Sequence, residues 1–415
     1  MKITPYSHLP DYCFWKKSVA GVKPGELDPV VSVPFQITQS DKVATAGSCF
    51  AQHIARYLRN TGFNFLITEP AHPILSEEDA VVYNYGTFTA RYGNIYTTRQ
   101  LLQLFKRAYG TFLPKEPLWQ EADNQFIDPF RPQIQPNGFA TLLEFEADQR
   151  QHLQAVRQAF ETLDVFIFTL GLTEGWESVV DGSVFPLCPG VSGGKFESDK
   201  YILHNFNVTE VVNDCLEFIS LLRSINPKSK IILTVSPVPL MATASNQRHV
   251  LTATTYSKSV LRVACEEVVA RSTLVAYFPS YEIITGNYSR GNYFDSDSRS
   301  VNEIGVFHVM RLFLKHFTGV EISSCNDAEK TTATNKEELF VNEIEELVRV
   351  NCEEEVYGNE LSNMERVSEV TSRCEADRSK GLRQKIIKSL LLFYSKADWI
   401  IFTKLRLHRV LGRLK

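Results

Sequence analysis

Val43-Ala44-Thr45-Ala46-Gly47-Ser48-Cys49-Phe50 reads as a short apolar strand that runs out on Gly-Ser, and Ala51-Gln52-His53-Ile54-Ala55-Arg56-Tyr57-Leu58 follows at once with helical spacing. A strand that turns directly into a helix is the first half of a βαβ unit. At the carboxyl end of a parallel sheet, such a turn presents side chains to a ligand, and the helix start offers unpaired N–H groups and a partial positive charge. Ser48 and Cys49 stand at that junction.

The alternation continues along the chain. Apolar runs at Lys42–Ala46, Val165–Leu170, Lys230–Val235 and Val275–Phe278 are separated by helical patterns at Phe50–Arg59, Val208–Ser224 and Thr255–Ala270. Strands spaced by helices predict an α/β fold, a three-layer sandwich with a mainly parallel sheet of the flavodoxin-like kind. Two stretches, Glu69–Gln151 and Gly175–Phe206, are rich in Pro, Gly and aromatic residues and interrupt this rhythm. They are expected as loop insertions that shape a binding site. Three segments follow from composition: an α/β domain over 1–320, an acidic linker with a solvated helix over 321–378, and a basic amphipathic tail over 379–415, the last two forming a C-terminal helical extension.

With 415 residues, 44% of them hydrophobic, the chain can bury a sizeable core, and a net charge of -4 supplies no field for nucleic acid. The eight cysteines are scattered, without a C-x-x-C pair or a Cys/His cluster at zinc-ligand spacing, so neither a metal nor a cofactor is expected. Met1–Tyr6 carries no signal-peptide pattern and no run approaches ~20 apolar residues, which predicts a cytoplasmic protein. Residues 379–415 hold ten Lys/Arg and one acid, Asp398, among aromatic and branched apolar residues. That tail suits peripheral contact with an anionic membrane or an acidic partner, or a terminal helix docked on the domain.

Chemistry concentrates at strand ends. After Val165–Leu170 come Gly171-Leu172-Thr173-Glu174, and the first insertion contains the turn Arg91-Tyr92-Gly93-Asn94-Ile95-Tyr96. Loops of small residues and short polar groups are what an oxyanion hole needs, because donors must lie about 3 Å from a developing negative oxygen. Cys49, one residue past the Ser turn, is expected to pack into the sheet–helix interface.

Gly47-Ser48-Cys49-Phe50-Ala51 spells the signature of the GSCFA family, and the resemblance extends from about Ser40 to Phe317 through Thr169–Glu174 and Leu233-Thr234-Val235-Ser236-Pro237-Val238-Pro239. That family is similar to the wider SGNH (GDSL-type) esterases and acyltransferases. The resemblance implies that Ser48 is the nucleophile and shares the oxyanion site with Gly93, Asn94, Gly171 and Thr173, where Thr173 takes the place of the superfamily's Asn. Its fourth block, D-x-x-H, reads Asp297-Ser298-Arg299-Ser300, with Ser300 in the histidine slot. A serine hydroxyl needs a base near pH 7. His308, in the same loop–helix unit, is the expected substitute with Asp297 behind it, and His53, His204 and His249 are the alternatives. The function implied is a serine esterase or O-acyltransferase acting on an acyl ester of a carbohydrate or glycan precursor, with Tyr92, Tyr96, Trp119, Trp176 and Tyr201 stacking on sugars or anchoring their own loops. The other reading is a non-catalytic binding or scaffold protein that keeps the fold and docks through its basic tail.

Overall fold

The computed structural model describes residues 4–121, 125–322 and Glu354. Strands β1 (Val43–Gly47), β2 (Val165–Leu170), β3 (Lys230–Val235) and β4 (Val275–Phe278) form one parallel sheet in that order. Beyond the free side of β1, Phe65 makes a single parallel bridge to Val43. Val43 N–H donates to the Asn64 carbonyl, and Leu66 N–H donates to the Val43 carbonyl, both at 2.9 Å. The spatial order is therefore Phe65, β1, β2, β3, β4, a flavodoxin-like order whose second strand is reduced to one bridge. The chain direction across the sheet reverses between β1 and β2, and the crevice beyond their carboxyl ends is where such folds bind ligands.

The helices that pack around the sheet are α1 (Ala51–Asn60), α2 (Thr98–Ala108), α3 (Leu142–Thr162), α4 (Val208–Ile225), α5 (Val250–Arg271), α6 (Ser280–Thr285) and α7 (Glu303–Thr318). Strand residues alternate between two cores. Ala44, Ala46, Phe166, Phe168, Ile231 and Leu233 pack with α2 to α5, while Val43, Val165, Ile167, Ile232 and Phe278 pack with α1, α6 and α7. Every residue of β1 and β2 is buried, so the three-layer reading holds and explains why these strands are apolar without a period of two.

The first insertion contains more regular structure than its composition suggests. It supplies α2, opened by a Thr97–Gln100 capping box, and the start of α3, opened by Thr141, and both helices pack into the main core. The second insertion folds as a three-stranded antiparallel sheet, Val184–Phe185, Glu174–Ser178 and Tyr201–Asn205. Tyr92, Tyr96, Trp119 and Tyr201 are buried, and Trp176 is half-buried. Trp119 packs on Phe185 with ring centroids 5.5 Å apart, and with Trp176 and Tyr201 they build a core of the insertions' own, while Tyr92 belongs to the main core.

The acidic segment, apart from Glu321, Ile322 and Glu354, and the whole basic tail lie outside the described residues. Among the described residues no helix is long and apolar enough to cross a membrane.

Candidate active site

At the end of β1, Gly47 has φ +138°. A Cβ there would lie 2.3 Å from the Thr169 carbonyl oxygen, so both conformation and space require glycine. Ser48 follows, with its N–H donating to the Thr169 carbonyl at 3.1 Å and its carbonyl accepting from Ala51 N–H at 2.9 Å as α1 begins. Its side chain is buried, and Oγ has no hydrogen-bond partner among the described residues.

Two further loops close on this turn. A Cβ on Gly171 would come within 3.1 Å of Ser48 Cβ and 3.2 Å of Tyr96 Cα, so β2 delivers a bare backbone against the serine. Ile95 N–H donates to the Gly47 carbonyl at 2.8 Å, and the Gly171 and Leu172 N–H groups both donate to the Tyr96 carbonyl, at 3.0 and 3.1 Å. Ser48, the Gly93–Asn94 turn and Gly171 are thus brought together from positions far apart in sequence. Gln52 Nε2 also reaches Asn94 Oδ1 at 3.4 Å.

A buried ionic network fixes the second of these loops. Glu69 accepts from the Arg91 backbone N–H at 2.7 Å and bonds His152 Nδ1 at 2.8 Å. The Arg91 guanidinium reaches Asp148 at 2.9 Å, and Arg131 bridges Asp128 at 2.8 Å and Asp148 at 2.7 Å. Two residues beyond Arg91, Gly93 turns at φ +67°.

The expected oxyanion donors divide into two groups. The N–H groups of Ser48 and Gly171 serve carbonyl oxygens of the scaffold, and Thr173 N–H donates to Ser257 Oγ at 2.9 Å. Thr173 Oγ1 donates to Asn205 Oδ1 at 2.7 Å, so this fully buried threonine ties its loop to α5 and the second insertion. Gly93 is different, because none of the described hydrogen bonds uses its N–H.

His308 and Asp297 are not brought to Ser48. On α7, His308 Nε2 donates to the Leu27 carbonyl and Nδ1 accepts from the Tyr293 hydroxyl, both at 2.8 Å. Both ring nitrogens of this buried imidazole are occupied there, so it is a structural histidine and the expected proton transfer from Ser48 has no geometric basis. Asp297 instead caps its own turn: Oδ1 accepts from the Arg299 and Ser300 N–H groups, and Oδ2 accepts from Ser300 Oγ at 2.6 Å. Ser300 is thus bound to the aspartate of its own turn. Of the alternatives, His204 lies between Glu177 and Glu210, His249 caps α5, and His53 is buried on α1 against the Phe50 ring.

Burial pulls the His308 pKa down to about 4, and Arg311 adds to the effect against the Leu27 hydrogen bond. The unfolded chain binds this proton below about 6.5, so the stabilising term is complete above that pH and is lost as pH falls from 6.5 towards 4. Urea titrations are expected to show wild type losing about 3 kcal/mol more than His308→Gln across that window. Parallel pH profiles for the two proteins would contradict the neutral buried imidazole.

A residue not foreseen from the sequence completes the site. Lys258 is buried on α5, and its Nζ donates to the Gly171 carbonyl oxygen at 2.5 Å, directly behind the contact of Gly171 with Ser48. Burial lowers its pKa, opposed by Glu354 and Cys49. The signal was present: Lys258 lies among Ser257, Val260, Leu261, Ala264 and Cys265, which are all buried, and a lysine in such a stripe needs a partner.

No curated protein matches this sequence. The GSCFA family model matches residues 42–313, which span all four strands, the three converging loops and Lys258. With about two thirds of its length so matched, and with Gly47-Ser48-Cys49-Phe50-Ala51 forming the strand–helix turn at the sheet's reversal point, the chain belongs to the GSCFA family.

Proposed function

We propose that the protein is a serine-dependent acyl hydrolase or O-acyltransferase of SGNH type, with Ser48 as the nucleophile. The observation that carries this reading is the unpartnered Ser48 hydroxyl, buried at the carboxyl end of β1 and in contact with Gly171. An unsatisfied buried hydroxyl costs about 1–3 kcal/mol, and a small apolar residue would remove that cost. A serine at this point is explained by what its oxygen does. Attack on an acyl carbonyl forms a bond from Oγ to carbon, opens the carbonyl π bond to an oxyanion and releases the hydroxyl proton. Collapse of that oxyanion breaks the bond to the alcohol, which leaves with the proton, and water or an acceptor hydroxyl then takes the acyl group from Oγ. The Lys258 amine, held on the Gly171 carbonyl and disposed by burial to shed its own proton, is the acceptor we assign in place of the absent histidine. The Gly93 N–H is the donor left to meet the developing oxyanion. An acylated carbohydrate, the class that the family resemblance implies, is the first substrate to try.

A second reading, a binding protein without turnover, is favoured by the engagement of the Ser48, Gly171 and Thr173 amides within the scaffold. A fluorophosphonate probe separates the two. Wild type and His308→Ala are expected to label, while Ser48→Ala and Lys258→Met are expected to lose the label by at least about 100-fold, as general-base removal commonly does. Absence of labelling in wild type would select the binding reading.

A further inference from the structure

Arg107 stands apart from the other enclosed arginines. It lies in the last turn of α2 and is 7% exposed, yet it enters no ion pair among the described residues. Its guanidinium N–H groups have no hydrogen-bond acceptor there, and Nη2 is wholly enclosed. Arg91 and Arg131, by contrast, are each held by carboxylates. Asp128, the acid that acts on Arg107, already accepts from Arg131 Nε at 2.8 Å and from Phe130 N–H at 2.9 Å. The Phe130 ring covers one face of the guanidinium, its centroid 3.7 Å away, and leaves the N–H edge unmatched. Burial pulls the Arg107 pKa down to about 10, so the charge persists at neutral pH. An enclosed charge without a partner is costly, and a leucine or methionine at this helix position would carry no such cost.

The guanidinium borders a cavity. Gln100, Leu104 and Arg107, about one turn apart on one face of α2, form one wall, and Asn94, Ile95 and Phe130 contribute to the others. The space suffices for about one or two water-sized groups. Gln100 brings a second donor: its Oε1 accepts from the Tyr96 and Thr97 N–H groups, both at 2.9 Å, while its Nε2 donates to nothing among the described residues. Arg131 also lines the cavity, and among the described residues no carboxylate does. Two arginines and a carboxamide around so small a space match a monovalent anion of about the size of water, and the space is too narrow for phosphate or sulfate.

We propose that Arg107 and Gln100 bind a small monovalent anion of the halide class in this cavity, and that the bound anion sets the neighbouring turn of the active site. Asn94 and Ile95, which line the cavity, directly follow Gly93, and Ile95 N–H ties their loop to the Gly47 carbonyl at 2.8 Å. An anion held there fixes the backbone that presents the Gly93 N–H, and so activates the site. The activation clause rests on the acyl-transfer reading; the anion site itself does not.

The test uses the full chain, with sodium chloride replacing sodium gluconate at constant ionic strength. The readout is the melting midpoint of wild type minus that of Arg107→Met, a difference that cancels the general salt effect common to both. It is expected to grow by several degrees along a saturable curve with chloride or bromide, and to stay flat with sulfate. A flat difference with chloride would overturn the site, and an equal growth with sulfate would overturn its assignment to a small monovalent anion. If Arg107→Met does not fold, anomalous diffraction from wild-type crystals in sodium bromide decides, with a bromide peak expected beside Arg107 and an empty cavity overturning the proposal. For the activation clause, chloride should raise the rate of fluorophosphonate labelling several-fold in wild type, with no such rise in Arg107→Met. A saturable melting response with an unchanged labelling rate would keep the anion site and remove its hold on Gly93. The same response without labelling in any salt would keep the site and discard the serine chemistry, and labelling without the response would do the reverse.

Discussion

Gly47→Ala is expected to be among the most damaging single-methyl additions in this chain. The new Cβ would sit 2.3 Å from the Thr169 carbonyl oxygen and 2.8 Å from Thr169 N, both backbone atoms of β2, and the residue would have to keep φ +138°. A left-handed conformation costs a non-glycine residue about 1–3 kcal/mol, and forcing the strands apart adds a similar amount. The sum, roughly 3–5 kcal/mol, should lower the melting midpoint by about 10 °C. Because the displaced atom belongs to the residue that accepts the Ser48 N–H, the hydroxyl should move as well, and fluorophosphonate labelling should fall in whatever protein remains folded. A melting point within a degree or two of wild type would show that the β1 turn adopts a different backbone from the one described.

Arg131→Met should have an effect of the same size through a different cause. Arg131 is almost wholly enclosed, and so is its partner Asp128, while Asp148 is shared with Arg91. Removing the guanidinium leaves the Asp128 carboxylate buried without its cation, a loss of about 3–5 kcal/mol. Arg131→Met with Asp128→Leu removes both charges and is expected to recover much of that loss, because an apolar pair of similar volume is often neutral. Equal destabilisation in the single and double variants would mean that packing, and not the unpaired charge, sets the penalty. Since the network also anchors Arg91 N–H, two residues before Gly93, the single variant should blur the second loop of the site.

The central sheet was readable because burial on both faces leaves each strand as a run of apolar residues, and each run ends in a Gly or a turn. Ser48 and Gly171 were readable together for the same reason, since strand ends of a parallel sheet converge at its reversal point. Gly93 and Asn94 lie in the first insertion and were reached through their Gly-Asn turn and the family resemblance. α2 and the start of α3 were hidden because their helical spacing lies inside a stretch whose prolines, glycines and aromatics dominate its composition. His308 illustrates a different limit. Its place in the sequence put it near the Asp297–Ser300 turn, but α7 aims it at Leu27 and Tyr293, and helix phase relative to a remote N-terminal segment is not written in local spacing. Lys258 was not legible because a single lysine in a helical pattern is ordinarily solvated, and only the burial of Ser257 and Leu261 beside it marks it as enclosed. The ion pair of Arg299 with Glu354 follows from no local rule, as 55 positions separate them.

The reduction of the second strand to one bridge at Phe65 has a consequence for solubility. A border strand with open rungs invites a foreign strand to add, and β1 would be such a border. Its rungs are instead closed one at a time: Val43 by Asn64 and Leu66, Thr45 N–H by Thr89 Oγ1 at 3.1 Å, the Thr45 carbonyl by the Tyr92 hydroxyl, and the Gly47 carbonyl by Ile95 N–H. Side chains and single loop residues seal the margin that a neighbouring strand would otherwise cover. The sealing segment, Thr89 to Ile95, is also the one that carries Gly93 and Asn94 to Ser48, so protection against edge-to-edge association and assembly of the site depend on the same seven residues.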